Sequence, residues 1–216
     1  AAGHAVRGSI RRMDRADEVC AALAPVVGQD ALRRLSFVVL DLEQDAGWTQ
    51  AMEGVDVLIH TASPFPVAQP KDPQTLIRPA VDGTLRALKA AKAAGVTRVV
   101  LTSSTIAVTN TAKPGMQDEN DWCDADASDS SAYAKSKTLA ERAAWEFAIA
   151  NGLQLTTINP GFVMGPPLDQ HYGSSIGVIG RILRGKDPMV PMIDFPVVDV
   201  RDVAEMHLRA LQRSET

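Results

Sequence analysis

Cysteine is nearly absent from this sequence. The two present, Cys20 and Cys123, make neither a disulfide framework nor a zinc-binding pattern. There is no basic block: 22 Lys and Arg stand against 26 Asp and Glu, a formal charge of −4. Nucleic acid is therefore not an expected partner. No apolar run approaches the ~20 residues that span a bilayer, so no membrane partner is expected either. The opening stretch AAGHAVRGSIRR has no long apolar core of the signal-peptide kind, and a reducing, cytoplasmic setting is expected. His4, His60, His171 and His207 are scattered and suggest no metal site. Internal repeats and low-complexity linkers are missing too. What remains is 216 residues, enough for one large domain with a real core.

Helical and strand patterns alternate along the chain, which predicts an α/β protein with a parallel sheet. Parallel strands buried on both faces read as short apolar runs. Such runs occupy 5–10, 35–40, 55–60, 98–101 and 153–158, with a weaker sixth at 197–200. Between them, helices are predicted at 14–24, 48–52, 72–95, 131–151 and 201–213. Gly95 and Gly152 stand as C-caps of the two long ones. Pro79 and Gly83 are expected to bend or interrupt the first.

SAYAKSKTLAE, 131–141, raises the functional question. Residues i and i+4 share one helix face, so Tyr133 and Lys137 can enter the same cleft. Alone, the spacing also fits ordinary helix decoration. Its neighbourhood adds weight. About thirty residues earlier an apolar strand ends in Thr102, Ser103, Ser104 and Thr105, and ligands of open α/β sheets sit beyond the carboxyl ends of strands. Reducing a carbonyl needs a hydride on carbon and a proton on oxygen. A free tyrosine, pKa ~10, is a poor acid–base group at neutral pH, and a nearby ammonium is expected to lower it. Ser104 is then placed to hold the carbonyl oxygen while Tyr133 gives the proton.

Several stretches together resemble the extended short-chain dehydrogenase/reductases, in their dihydroflavonol reductase-like and yeast-type aldehyde and ketone reductase branch. They are HTASPF (60–65), RVVLTSS (98–104), DENDW (118–122), YAKSKTLAE (133–141), INPGFVMGP (158–166) and VVDVRDVAEMH (197–207). The resemblance implies a Rossmann-like doubly wound sheet with helices on both faces. It implies a dinucleotide-binding region over 1–160 and a substrate-binding region over 161–216, interleaved with the last strands. Ser104, Tyr133 and Lys137 would be the catalytic residues, and Lys137 would also bind the nicotinamide ribose. Thr61, Ala62 and Ser63 would run along the dinucleotide. Pro160, Gly161 and Val163 would meet the nicotinamide, with Ser175 touching the cofactor. Leu42 would line the adenine pocket, and Asp41 either reaches the adenine or simply turns the chain after its strand. Phe65, Thr109, Met164, Met192 and Phe195 are the expected pocket walls. Trp122 lines the pocket loop or packs.

Charge argues for the cofactor. An acid at the end of the second strand would grip the ribose 2′-hydroxyl of NAD, and an arginine the 2′-phosphate of NADP. The strand at 5–10 ends in Arg11 and Arg12, with Ser9 before them and no acid until Asp14. A guanidinium fork suits phosphate, so NADP(H) is expected; two solvated arginines are the plain alternative.

Two departures from the family pattern stand out. AAGHAV reads as a helix tail, a cap at Gly3 and a strand, without the glycine-rich strand-turn that binds pyrophosphate, and LRALQRSET stops directly after a helix. The sequence is therefore expected to be a piece of a longer protein. GSSIGVIG, 173–180, imitates a phosphate loop but follows a loop rather than a strand, and is expected to pack as a helix. Second, Thr109 stands where plant dihydroflavonol reductases carry a flavonoid-contacting asparagine, which favours simpler aldehydes and ketones. The expected activity is an NADPH-dependent carbonyl reductase, monomeric or homodimeric. A nucleotide-sugar epimerase or dehydratase, or a non-catalytic NADP-binding sensor, are the alternatives.

Overall fold

The computed structural model describes residues 2–65, 70–110, 112–170, 172–186 and 196–213. All six expected strands form, with ends moved by one or two residues. β1 (Val6–Ile10) pairs with β2 (Leu35–Val39). β3 (Val57–His60), β4 (Arg98–Thr102) and β5 (Gln154–Ile158) form a second sheet in that order. A seventh strand, unforeseen, is β6 (Phe162–Met164), which pairs with β7 (Val197–Asp199). Every pairing among the described residues is parallel. In the doubly wound order 3-2-1-4-5-6, β2 and β1 take the third and second places, and β3, β4 and β5 the fourth to sixth. Val6 on β1 and Ile59 on β3, apolar strand residues, stay 51% and 41% exposed.

The helices are α1 (Ala16–Val27), α2 (Gln29–Leu32), α3 (Trp48–Met52), α4 (Gln74–Ala93), α5 (Ala132–Asn151), α6 (Ser174–Leu183) and α7 (Val200–Gln212). One was not foreseen, α2; α6 takes up the GSSIGVIG stretch, which forms a helix as expected. Pro79 and Gly83 do not interrupt α4, which runs as one helix. Pro79 stands in its second turn and removes only the bond its N–H would have made to Thr75. Gly83 is a packing residue: a Cβ there would lie 2.9 Å from the Leu42 Cβ.

Strand β4 separates the two faces by the alternation of its side chains. Val99 and Leu101 join Leu88 of α4 and Ala144 and Ala148 of α5 on one face, while Val100 meets Ile158 and Ala210 of α7 on the other. Burying one such Leu or Val contributes about 1.5–3 kcal/mol. A further cluster, Leu40, Trp48, Ala51, Met52 and Ala87, binds the end of β2 to α3 and α4. Polar ties hold α7 as well. Thr102 Oγ1 lies 2.6 Å from His207 Nε2, and His207 Nδ1 lies 2.7 Å from the Val203 carbonyl. The Arg98 guanidinium donates to the Ala210 carbonyl. Among the described residues no helix is long and apolar enough to cross a membrane.

Candidate active site

The carboxyl ends of β3, β4 and β5 lie side by side because the strands are parallel and in register. After β4 the chain turns sharply. Ser103 N donates to the Ile158 carbonyl at 2.8 Å, and Thr105 N to the Pro160 carbonyl at 3.0 Å. Ser104 caps the short 3-10 turn Thr105–Ala107, its Oγ accepting from Ile106 N at 3.4 Å. Cys123 N donates to the Ala107 carbonyl at 2.8 Å and ties the following loop to this turn.

Helix α5 delivers the other two groups. Ser131 is its N-cap, the side chain accepting from Ala134 N at 3.1 Å. That start places Tyr133 in the first turn and Lys137 one turn later. Buried Ala132, Ala134, Ala140, Ala144 and Ala148 carry no bulk, so the helix can lie close to its neighbours. The Ser104 hydroxyl stands beside the Tyr133 phenol, near enough to draw its pKa down, and Lys137 Nζ lies 5.9 Å from the Tyr133 ring centroid. Ser104, Tyr133 and Lys137 are thus brought together as the sequence implied. Ser103, the other serine of the pair, is buried and its Oγ has no hydrogen-bond partner among the described residues.

The electrostatics differ from expectation at one point. Tyr133 lies above its ordinary pKa because burial disfavours the phenolate, and the Ser104 hydroxyl only partly opposes this. Burial, not the Lys137 charge, sets the direction of the phenol's shift. Burial pushes Lys137 down to about 8, opposed by the Glu141 carboxylate. Burial, then the Lys137 charge, pushes His60 down to about 4. At neutral pH the phenol keeps its proton, Lys137 is mainly an ammonium and His60 is neutral.

The remaining candidates spread along the carboxyl edge. Thr61, Ala62 and Ser63 follow β3. Ala62 and Ser63 line a small cavity together with Thr84, Ser103, Lys137 and Glu141. Phe65 stands edge to face with Tyr133. Arg11 and Arg12 follow β1 and are exposed; Arg12 Nε lies 3.4 Å from Asp14 Oδ1. The Asp41 carboxylate accepts from Glu43 N at 2.9 Å, which is the turn role of its two readings. Leu42 packs on Gly83 and on the core of α3 and α4. Pro160 and Gly161 follow β5 and border a second cavity with Pro196 and Val198. Gly161 is required there for another reason: a Cβ would lie 2.0 Å from the Pro196 carbonyl oxygen. Val163 pairs with Val198, and Met164 with Asp199. Ser175 is in the first turn of α6. The Thr109 hydroxyl donates to the Thr105 carbonyl at 2.8 Å. Trp122 packs under the Arg142 guanidinium at 5.1 Å. Phe195, Met192 and His171 lie outside the described residues. No cluster of three His, Cys, Asp or Glu groups suited to a metal exists among the described residues.

Two site residues escaped the reading of the sequence. Glu141, only 3% exposed, continues the helical face of Tyr133 and Lys137 by one more i+4 step. Asn159 donates from Nδ2 to Glu141 Oε2 at 2.8 Å and to the Ser104 carbonyl at 3.2 Å. Glu141 could have been found from that spacing; Asn159 could not, because its partners are 18 and 55 residues away.

Comparison with known proteins assigns the architecture. The model of the NAD dependent epimerase/dehydratase family matches residues 2–216. The chain belongs to that family. Among its relatives are a cinnamoyl-CoA reductase of Medicago truncatula, 38% identical over 192 residues, and cinnamoyl-CoA reductase 2 of Arabidopsis thaliana, 36% identical over 212 residues. These alignments cover 85% and 95% of this chain, but only 58% and 61% of the relatives' own lengths. The yeast methylglyoxal/isovaleraldehyde reductase Gre2, solved as a complex with NADPH, superposes with a TM-score of 0.83 at 31% identity. It is covered to 69%, with 99% of this chain matched. The epimerase/dehydratase family therefore accounts for the parallel strands and the helices on both faces.

Proposed function

We propose that this chain is the core of an NADPH-dependent carbonyl reductase, interconverting a small aldehyde or ketone and its alcohol. The observation that carries the reading is the Ser104 hydroxyl beside the Tyr133 phenol, with Lys137 one helical turn beyond and 5.9 Å from the phenol ring centroid. When bound, the nicotinamide supplies the hydride. Tyr133, held protonated by its burial, gives the phenolic proton to the substrate oxygen. Ser104 donates to the same oxygen and orients it. The Lys137 ammonium stabilises the phenolate that the proton leaves behind.

The carboxyl edge suits an elongated dinucleotide phosphate. It offers exposed guanidinium groups of Arg11 and Arg12 at one end, the Thr61–Ser63 backbone between, and the Ser104, Tyr133 and Lys137 cluster at the other. The NADPH in the yeast reductase and the reductase names of the relatives favour the same cofactor. Residues 1–160 carry this cofactor edge and 161–216 the substrate side. Phe65 against Tyr133 gives the substrate an apolar approach, and the Thr109 hydroxyl is already committed to its own turn. Both favour simple carbonyl compounds over polyhydroxylated ones.

The test is NADPH oxidation by the full chain with a panel of simple aldehydes and ketones, NADH alongside, in the parent and in Tyr133→Phe. Loss of the proton donor is expected to cut turnover about 10²–10⁴-fold while NADPH binding stays. Unchanged turnover in Tyr133→Phe would overturn the assignment.

A further inference from the structure

A buried carboxylate needs partners, because taking its charge out of water costs several kcal/mol unless that charge is compensated. Glu141 is 3% exposed and none of the chemistry proposed above uses it. Two of its neighbours, Asn159 and Lys137, belong to the site. Asn159 Nδ2 donates to Oε2 at 2.8 Å. Trp145 Nε1 donates to Oε1 at the long distance of 3.5 Å. Lys137, 8% exposed and one turn earlier on α5, lines the same small cavity and feels the carboxylate's charge.

The same Asn159 amide also donates to the Ser104 carbonyl at 3.2 Å. One carboxylate is therefore linked to the ammonium on one side and to the serine turn on the other. We propose that Glu141 and Asn159 are positioning residues of the site: a buried carboxylate facing Lys137 that, through the Asn159 amide, ties α5 to the Ser104 turn. This rests on the reading of Ser104, Tyr133 and Lys137 as the reacting groups.

Among the described residues, the titratable groups facing Lys137 are Tyr133, Glu141 and His60. Tyr133 and Glu141 share its helix, and His60 stands at the end of β3. His60 is neutral above about pH 4 and Tyr133 keeps its proton at neutral pH. Glu141 thus supplies the negative charge that holds the buried ammonium against desolvation. Without it, Lys137 loses its proton at lower pH.

The first arm reads Lys137 directly, by NMR titration of 13Cε-labelled lysine in the full chain, with Lys137→Arg identifying the signal. In Glu141→Gln the midpoint, about 8 in the parent, is expected to move to lower pH. In Glu141→Asp, which keeps the charge, it should stay near the parent value. The second arm reads turnover. Glu141→Gln should shift the alkaline limb of the kcat/KM profile to lower pH, with recovery in Glu141→Asp. Asn159→Ala should lower kcat about tenfold, the size of one hydrogen bond, with the KM for NADPH unchanged. An unmoved Lys137 midpoint in Glu141→Gln overturns the electrostatic link, and an unchanged kcat in Asn159→Ala overturns the tie to Ser104. Retained turnover in Tyr133→Phe would instead overturn the proposed reaction, and the NMR arm would still decide the link.

Discussion

Phe65 and Tyr133 meet edge to face, with ring centroids 5.0 Å apart and planes at 66°. Phe65 comes from the segment after β3 and Tyr133 from the first turn of α5. One ring therefore shields the other from water across two elements. That shielding belongs to the burial that holds the phenol above its ordinary pKa. Phe65→Ala should let water in, and the Tyr133 titration should move down toward the ordinary ~10. Phenolate absorbance in the near ultraviolet measures it, with Tyr133→Phe identifying the signal. The lost ring pair should also cost about 0.5–1.5 kcal/mol beyond its buried area. A titration curve identical to the parent's would contradict the shielding argument.

His60 makes the fold sensitive to acid. It is 4% exposed, its Nε2 has no hydrogen-bond partner among the described residues, and its pKa is pushed down to about 4. In the unfolded chain the imidazole takes up a proton near its ordinary value of 6.5. Between 6.5 and about 4 the unfolded state therefore binds more protons, and stability falls as the pH falls. The loss across that window should reach up to about 3 kcal/mol. Urea unfolding at several pH values should give a steep decline for the parent and a flatter one for His60→Leu. Parallel curves would mean that burial of His60 is not the cause.

Gly161 separates a packing role from a cofactor role. A Cβ at this position would sit 2.0 Å from the Pro196 carbonyl oxygen, the same oxygen that accepts from Phe162 N at 2.6 Å. Backbone on one side and backbone on the other leave no flexible side chain to give way. Gly161→Ala should therefore force β6 and β7 apart and destabilise the protein by about 1–3 kcal/mol or more. Thermal unfolding without any cofactor checks this. A variant that is as stable as the parent, yet binds NADPH poorly, would show that the glycine serves the cofactor instead.

Much of this was legible in order along the chain. The apolar runs at 98–101 and 153–158 became adjacent strands because short apolar stretches between helical patterns have few other places to be buried. Tyr133 and Lys137 share a face because a helix imposes it, and Ser131 starts that helix one residue before it was needed. β6 was missed because three residues, Phe162–Met164, carry no periodicity. The interruption expected in α4 failed because a single lost bond at Pro79 is small beside a helix face buried through Ile77, Ala80, Thr84, Ala87, Leu88 and Ala91.

The sequence by itself determined the α/β class, the catalytic candidates and the charge at the end of β1, since these depend on residue type and on spacings of one or two turns. Only the tertiary structure decided the chemistry between distant residues. It brought Ser104 to the Tyr133 phenol, joined Asn159 to Glu141 and to the Ser104 carbonyl, and set Gly83 against Leu42 and Gly161 against Pro196. It also reversed the expected direction of the Tyr133 shift. Spacing says which groups are near; desolvation depends on everything packed around them, and no short stretch of sequence contains that.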